Sequence, residues 1–462
     1  MESQGTAEDF ADAPGQDDLL TPAFVDAVAD ALEREEIDAA RTLTLELRAA
    51  DLADLIEFLR PELRIALIKA LGSDLPAEMF SELQEPIRDE LVKEMPVDQL
   101  AEVVGELDSD DAVYLLEDLE ESEQIEILSK VNRIDRARVR RSLDYPEDTA
   151  GRLMQADFVA VPPFWSVGQT IDYMREAHEL PDSFSELYVI DPAFHLMGTV
   201  PLSFLLRSRR PKLISEITNT DVHTFSALQD QEEVARDFER YNLLSAPVVD
   251  EDRRLVGVIT ADDVVEVIQE EAGEDIFRLA GVADEAITEN FVQIAGSRFT
   301  WLFVNLLTAI LASIVIGLFD ATIEQRVALA ILMPIVASMG GNAGTQTMTV
   351  AVRALAMKDI TAVNTMRVVG RELLVGLING LLFAVLLAGA VLIWFGSGEI
   401  GVIIAVAMIV NMFVAALSGI LVPIVLDKLG IDPAVASSVF VTTVTDVVGF
   451  FAFLGLAALW FS

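Results

Sequence analysis

The most committed side chain in the sequence is Asp446, which falls within a long apolar run. It lies about 12 residues from the start of that run, and at about 1.5 Å of rise per helical residue this is near the middle of a bilayer. Thr442 and Thr443 sit one helical turn earlier on the same face, and Thr445 is adjacent. A carboxylate ringed by hydroxyls offers only oxygen, the donor that hard cations such as Mg2+ choose. An ionisable group at that depth is costly, and no basic residue lies at matching depth to neutralise it, so the pattern points to an ion path. The alternative is an Asp paired across helices with Asn or Ser.

A second constellation lies upstream, where one apolar run carries Pro334, Gly340, Gly341, Asn342, Gly344 and Gln346. Proline removes a backbone donor and glycine permits unwinding or close approach. Irregular backbone at membrane depth survives only where it is buried or lines a watery path. Asn342 and Gln346 share a face at i, i+4 spacing. A small-residue packing seam accounts for Gly340 and Gly344 but less well for the two carboxamides. Asn305, Asn379 and Asn411 read as interhelical hydrogen-bonding residues rather than ligands.

These residues need a membrane-spanning scaffold, and five apolar stretches supply one, at about 298–319, 327–355, 371–395, 400–426 and 434–461. Each exceeds the roughly 20 residues needed to cross the hydrocarbon. Arg353, Lys358, Arg367 and Arg371 flank the loop after the second stretch and Lys428 follows the fourth, while the opposite loops hold only Arg326. The positive-inside rule then predicts a cytosolic N-terminus and an external Ser462 in a multi-pass protein of the plasma membrane.

Charge is unevenly distributed. From Phe291 to Ser462 there are eight acidic and seven basic residues, out of 75 and 32 in the chain, so the part before Phe291 carries −42 of the total −43. Such a surface repels nucleic acid and anionic lipid and suits cations. Salt adaptation explains the same acidity, since only six of the 32 basic residues are Lys. There is no Cys, which removes disulfides and thiolate metal sites.

Residues 1–20 read as a disordered acidic tail. From 21 to 143 the pattern is helical, with Leu52, Leu55, Ile56 and Leu59 at i, i+3, i+4, i+7 and prolines punctuating the segments. A weak similarity between 51–59 and 110–119 fits short hairpins stacked into a superhelix. After Tyr145-Pro146, two mixed units follow, at 144–210 and 211–270. In the second, a helix (231–242) precedes strands at 246–250 and 255–260; the first repeats this with strands at 187–191 and 196–200. This pattern resembles a tandem pair of CBS domains. An acidic linking helix, 262–290, overlaps its end and leads to the membrane part, 291–462. The fold class expected is therefore a multidomain membrane protein: an all-α superhelical N domain, an α/β tandem CBS pair and a five-helix transmembrane bundle.

Three stretches resemble signatures of the MgtE family of magnesium transporters: Pro334 to Gln346, Asp432 to Gly449, and Tyr145 to Met154 at the entrance of the CBS pair. The order of the domains is similar too. The resemblance implies a homodimer with a channel-like Mg2+ path along its two-fold axis, in which Asp446 binds the ion and Gly341 and Asn342 shape the path. Thr442, Thr443 and Thr445 join this set as neighbouring oxygen donors. It also implies regulation by cytosolic Mg2+ bound at Asp263, Glu266, Glu271, Glu274 and Asp275, with Asp108, Asp110 and Asp111 as partners, closing the path when Mg2+ is plentiful. Thr260 and Asp263 have the spacing by which some CBS domains hold an adenine nucleotide's ribose, so ATP is a candidate ligand. Asp432 before Pro433 reads as a helix N-cap.

Transport rather than catalysis is the function expected. Intramembrane proteolysis needs histidines in the membrane, and none follows His223. Na+-coupled Mg2+ exchange, and a broader selectivity that includes Mn2+ and Co2+, stay open.

Overall fold

The computed structural model describes residues 20–177, 180–181, 183–280, 282, 291–361, 363–435 and 438–462. The expected tail, apart from its last residue, and most of 281–290 lie outside the described residues. The chain forms two compact units that divide after Ile268.

The first unit opens with short helices, from Pro22–Glu33 to Arg133–Leu143, wound around one apolar core. The two similar segments fall on Ala49–Phe58, which buries Leu52, Leu55 and Ile56, and on Ser109–Leu116, which buries Val113, Leu115 and Leu116. Two buried arginines tie successive helices. Arg64 donates through Nε to the carbonyls of Ile56 (3.2 Å) and Leu59 (3.0 Å), satisfying acceptors that the end of that helix leaves open. Arg88 stacks over Tyr114 at 3.9 Å and pairs with Asp118 at 2.6 Å.

Two matching three-stranded sheets follow. In the first, β1 (Ala160–Val161) runs parallel to β2 (Glu186–Ile190), which pairs antiparallel with β3 (Leu196–Pro201). In the second, β4 (Phe225–Ser226), β5 (Ser245–Val249) and β6 (Leu255–Thr260) repeat the order. The segment Thr149 to Met154 is wedged against the second sheet's core. A Cβ on Gly151 would fall 2.5 Å from the Tyr145 ring and 2.8 Å from the Ala227 carbonyl, so this signature is a packing device. His195 bonds Asp191 at 2.9 Å within its turn, a structural role. The linking helix, Ala261–Ala280, starts directly after β6.

In the second unit, among the described residues, five helices are long and apolar enough to cross a membrane. They are α1 (Phe291–Gly317), α2 (Val327–Ala356), α3 (Thr365–Phe395), α4 (Gly398–Lys428) and α5 (Ser438–Phe461). Helix α4 is the most enclosed: α2, α3 and α5 all pack along it. Much of the outer surface is Leu, Ile, Val and Phe, as contact with lipid chains requires.

Candidate ion pathway and carboxylate cluster

Close packing in the bundle is set by glycines of α2. A Cβ on Gly344 would lie 2.4 Å from Val441, and one on Gly340 would lie 2.2 Å from the Asn411 amide nitrogen. A Cβ on Gly341 would stand 3.1 Å from Thr442. The α2 backbone is thus pressed onto α5 one turn before Asp446. On α5 the hydroxyls of Thr442 and Thr443 donate to the Val439 carbonyl (3.1 and 2.5 Å), and that of Thr445 to the Thr442 carbonyl (2.9 Å). Each hydroxyl commits its proton to the helix, which leaves its lone pairs as acceptors. Asp446 is half-buried beside the fully buried Thr445.

Asn411 of α4 sits where α2 and α5 converge. Its amide donates to the Val336 carbonyl at 2.8 Å, consistent with interhelical bonding, while its side-chain oxygen is buried without a partner. Asn342 and Gln346 face elsewhere. They line a cavity of about 400 Å³ together with Glu372 and Asn379 of α3, and Asp446 is not among its lining residues. The structure therefore brings Gly341 to the threonine face of α5 and places Asn342 one face away.

The end of the linking helix is fastened to this bundle. Leu279 packs against a cluster of Met348 and Val352 from α2, Ala434 from the short turn Pro433–Val435 and Val441 from the first turn of α5. Arg278 pairs with both Glu274 and Asp432. Asp432 also accepts from the Ala434 amide at 2.8 Å, so it caps the turn and anchors the linking helix at once. Burial first, then the charges of Asp432 and Glu271, push the Asp275 carboxyl up to about 6. Arg278 was not expected from the sequence; the signal was a cation near the end of an acidic helix, one turn after Glu274.

The N-terminal unit holds the other carboxylates. Asp108, Asp110 and Asp111 stand at the head of helix Ser109–Leu116, and Asp263 lies in the first turn of the linking helix. Burial, reinforced by the charges of Asp263, Asp111 and Asp108, pushes Asp110 well above the usual carboxylate range. Burial lifts Asp111 and Asp263 to about 6, and burial with the charges of Asp111 and Asp263 lifts Glu266 to about 7. One Asp110 oxygen is buried with no hydrogen-bond partner. Glu78 and Glu82 add to the field at Asp111, and neither was expected from the sequence. Among the described residues, no three of His, Cys, Asp and Glu already close around one point as metal ligands. The carboxylates face one another at a distance, an arrangement that like charge disfavours and a divalent cation with its waters would relieve.

Thr260 lines a cavity of about 600 Å³ beside this cluster, with Phe158, Phe184, Ser185 and Ser245. Asp263 is absent from that lining; its carboxylate accepts from the Thr260 hydroxyl at 2.5 Å.

Family models match most of this layout: a divalent cation transporter model over residues 333–456, the MgtE intracellular N domain over 47–148, and a CBS domain over 214–270. The chain is 33% identical over 316 residues to the magnesium transporter MgtE of Bacillus subtilis (strain 168), spanning 68% of this chain and 70% of that protein. The chain belongs to the MgtE family of magnesium transporters. The MgtE of Thermus thermophilus is 36% identical over 327 residues, 70% of this chain and 72% of the relative. Two solved structures are also similar. One is the soluble part of a magnesium transporter (26% identity, TM-score 0.48, 54% of this chain and 98% of that one). The other is the cytosolic domain of the Mg2+ channel MgtE in complex with ATP (31%, 0.49, 53% and 99%). As the family models arrange them, a helical N domain and CBS pair precede a membrane-embedded transporter domain.

Proposed function

We propose that the bundle is a Mg2+-selective import path across the plasma membrane, closed from the cytosol by Mg2+ bound to the acidic cluster. In this reading two copies meet on a two-fold axis and present two Asp446 carboxylates to one ion, with Gly341, Thr442, Thr443 and Thr445 shaping its surroundings, while Asn342, expected in this set, lies one face away. Mg2+ gives up its waters reluctantly, so a ring of oxygens that holds it with part of its shell suits it best. The N-terminus is cytosolic and Ser462 external; the protein transports and does not catalyse.

The observation that carries the gating half is the fastening of the linking helix to Asp432 ahead of α5, through Arg278, and to Val441 on α5, through Leu279. Asp446 rides on that same helix. Without Mg2+, Asp108, Asp110, Asp111, Asp263 and Glu266 repel and hold the regulatory part loose. With Mg2+ they are drawn together, and the linking helix, bearing Glu271, Glu274 and Asp275, passes the change to α5. The domains assigned to this device are residues 21–143, 144–210, 211–270, the linking helix and 291–462.

The test is Mg2+ uptake into liposomes by the full chain, with and without a Na+ gradient. Uptake that needs no Na+ gradient and stops as Mg2+ rises on the regulatory side supports the reading. Strict dependence on Na+ would replace it with exchange, and equal flux of Mn2+ or Co2+ would widen the selectivity. A second ligand, ATP, is favoured by the cavity beside Thr260. Its lining includes Glu78, Glu106, Asp108, Asp111, Asp157, Glu186 and Asp262, with Arg138 already paired to Asp157 at 2.7 Å. A triphosphate would enter such a field best with bound Mg2+. Isothermal titration with ATP, with and without Mg2+, checks this.

A further inference from the structure

Helices α2 and α3 both lie along α4 and touch each other little, which leaves a groove floored by α4. The cavity of about 400 Å³ lies in it. Much of its lining is polar: Asn342 and Gln346 come from α2, and Glu372 and Asn379 from α3. Their spacings, i, i+4 and i, i+7, stack each pair along its own helix. Glu372 is only 9% exposed. Its Oε1 accepts from Arg371 at 3.1 and 3.2 Å, yet the Arg371 side chain is itself 64% exposed. The apolar run in the sequence starts at Arg371, which would leave Glu372 at the water's edge. The helix begins at Thr365, so Glu372 lies about two turns inside it. An exposed neighbouring Arg offsets little of the cost of burying a carboxylate, and three carboxamides around one cavity exceed what packing needs.

We propose that this groove is a second station for a hydrated divalent cation, with Glu372 supplying charge and Asn342, Gln346 and Asn379 bonding the ion's waters. Six waters at about 30 Å³ each occupy roughly 180 Å³, so the cavity admits Mg2+ with its first shell intact. The station lies on a different face of α2 from Gly341, which meets the threonine side of α5. The proposal rests on the bundle being a Mg2+ path.

The experiment is Mg2+ flux by the full chain in liposomes, with hexaamminecobalt(III) as an exchange-inert stand-in for hydrated Mg2+. Glu372→Gln should raise the half-saturating Mg2+ concentration about five-fold and weaken block by the cobalt complex similarly, while Arg371→Gln should shift both the opposite way. Asn379→Leu, which fills the groove with an apolar side chain, should also raise half-saturation. Shifts in the same direction for Glu372→Gln and Arg371→Gln, or no shift in either, would show a structural ion pair and overturn the station. An unchanged Asn379→Leu would show a groove filled by lipid and overturn it equally. Failure of the wild type to move Mg2+ would sink the path itself, a result distinct from normal wild-type flux with silent variants.

Discussion

In the N-terminal unit Asp110, Asp111 and Asp263 crowd one another and are held protonated more readily than free carboxylates, whereas in the bundle Asp446 stands beside threonine hydroxyls on a packed helix. The first group is mutually repulsive, and in the proposed function it responds to an ion by changing its own arrangement. The second sits on a helix held by close packing at Gly341 and Gly344, so in the proposed function its setting changes only as the linking helix acts on α5. In the proposed function the same side chain serves as sensor in one setting and as path in the other, because like charge surrounds the first while the threonines nearest Asp446 in sequence are neutral.

Replacing Asp446 with Ala gives the sharpest test of that contrast. Mg2+ flux should fall to background, while Mg2+ should still protect the N-terminal unit from proteolysis; loss of both, or of neither, would dissolve the distinction. Neutralising Glu266, Glu271, Glu274 and Asp275 together should do the reverse, leaving flux intact but no longer stopped by Mg2+ on the regulatory side. Arg278→Gln should weaken that inhibition to a smaller degree, because Leu279 still holds the linking helix to α5.

The carboxylate cluster also predicts a pH dependence. Asp111 and Asp263 titrate at about 6 and Glu266 at about 7 in the folded chain, above their ordinary values near 4. Between those limits the folded state binds more protons than the unfolded one, so stability falls as pH rises from about 4 to about 7 and levels above that. Thermal melts of the N-terminal unit without divalent cations should show this loss, and Mg2+ should restore stability most at the high-pH end. Asp110→Asn should raise the melting temperature in Mg2+-free buffer by about 2–4 °C for each kcal/mol of repulsion removed. The smallest effect is expected on the path side: Gly344→Ala should cost about 1–3 kcal/mol through overpacking against Val441, read as a lower bundle melting temperature with ion preference unchanged.

Hydrophobic run length announced five spans, and period-2 strands bracketed by turns announced the paired sheets, because both signals are local in the chain. Asp446 was legible for the same reason: a carboxylate in an apolar run is conspicuous wherever the run folds. The carboxylate cluster was legible only through resemblance, since an acidic helix face in water looks the same whether or not another acidic helix head lies opposite. Glu78 and Glu82 went unseen, being distant in sequence from the residues whose charge they feel.

By itself the sequence determined the number of spans, the concentration of negative charge before Phe291 and the presence of one deep carboxylate; these follow from composition and period. Only the tertiary structure decided which face each residue joins. It set Gly341 against Thr442, sent Asn342 to a groove with Glu372, and made Asp432 both a cap and the partner of Arg278. The physical reason is that faces and ion pairs depend on helix rotation and on contacts between residues such as Arg278 and Asp432, far apart along the chain, which no local pattern encodes.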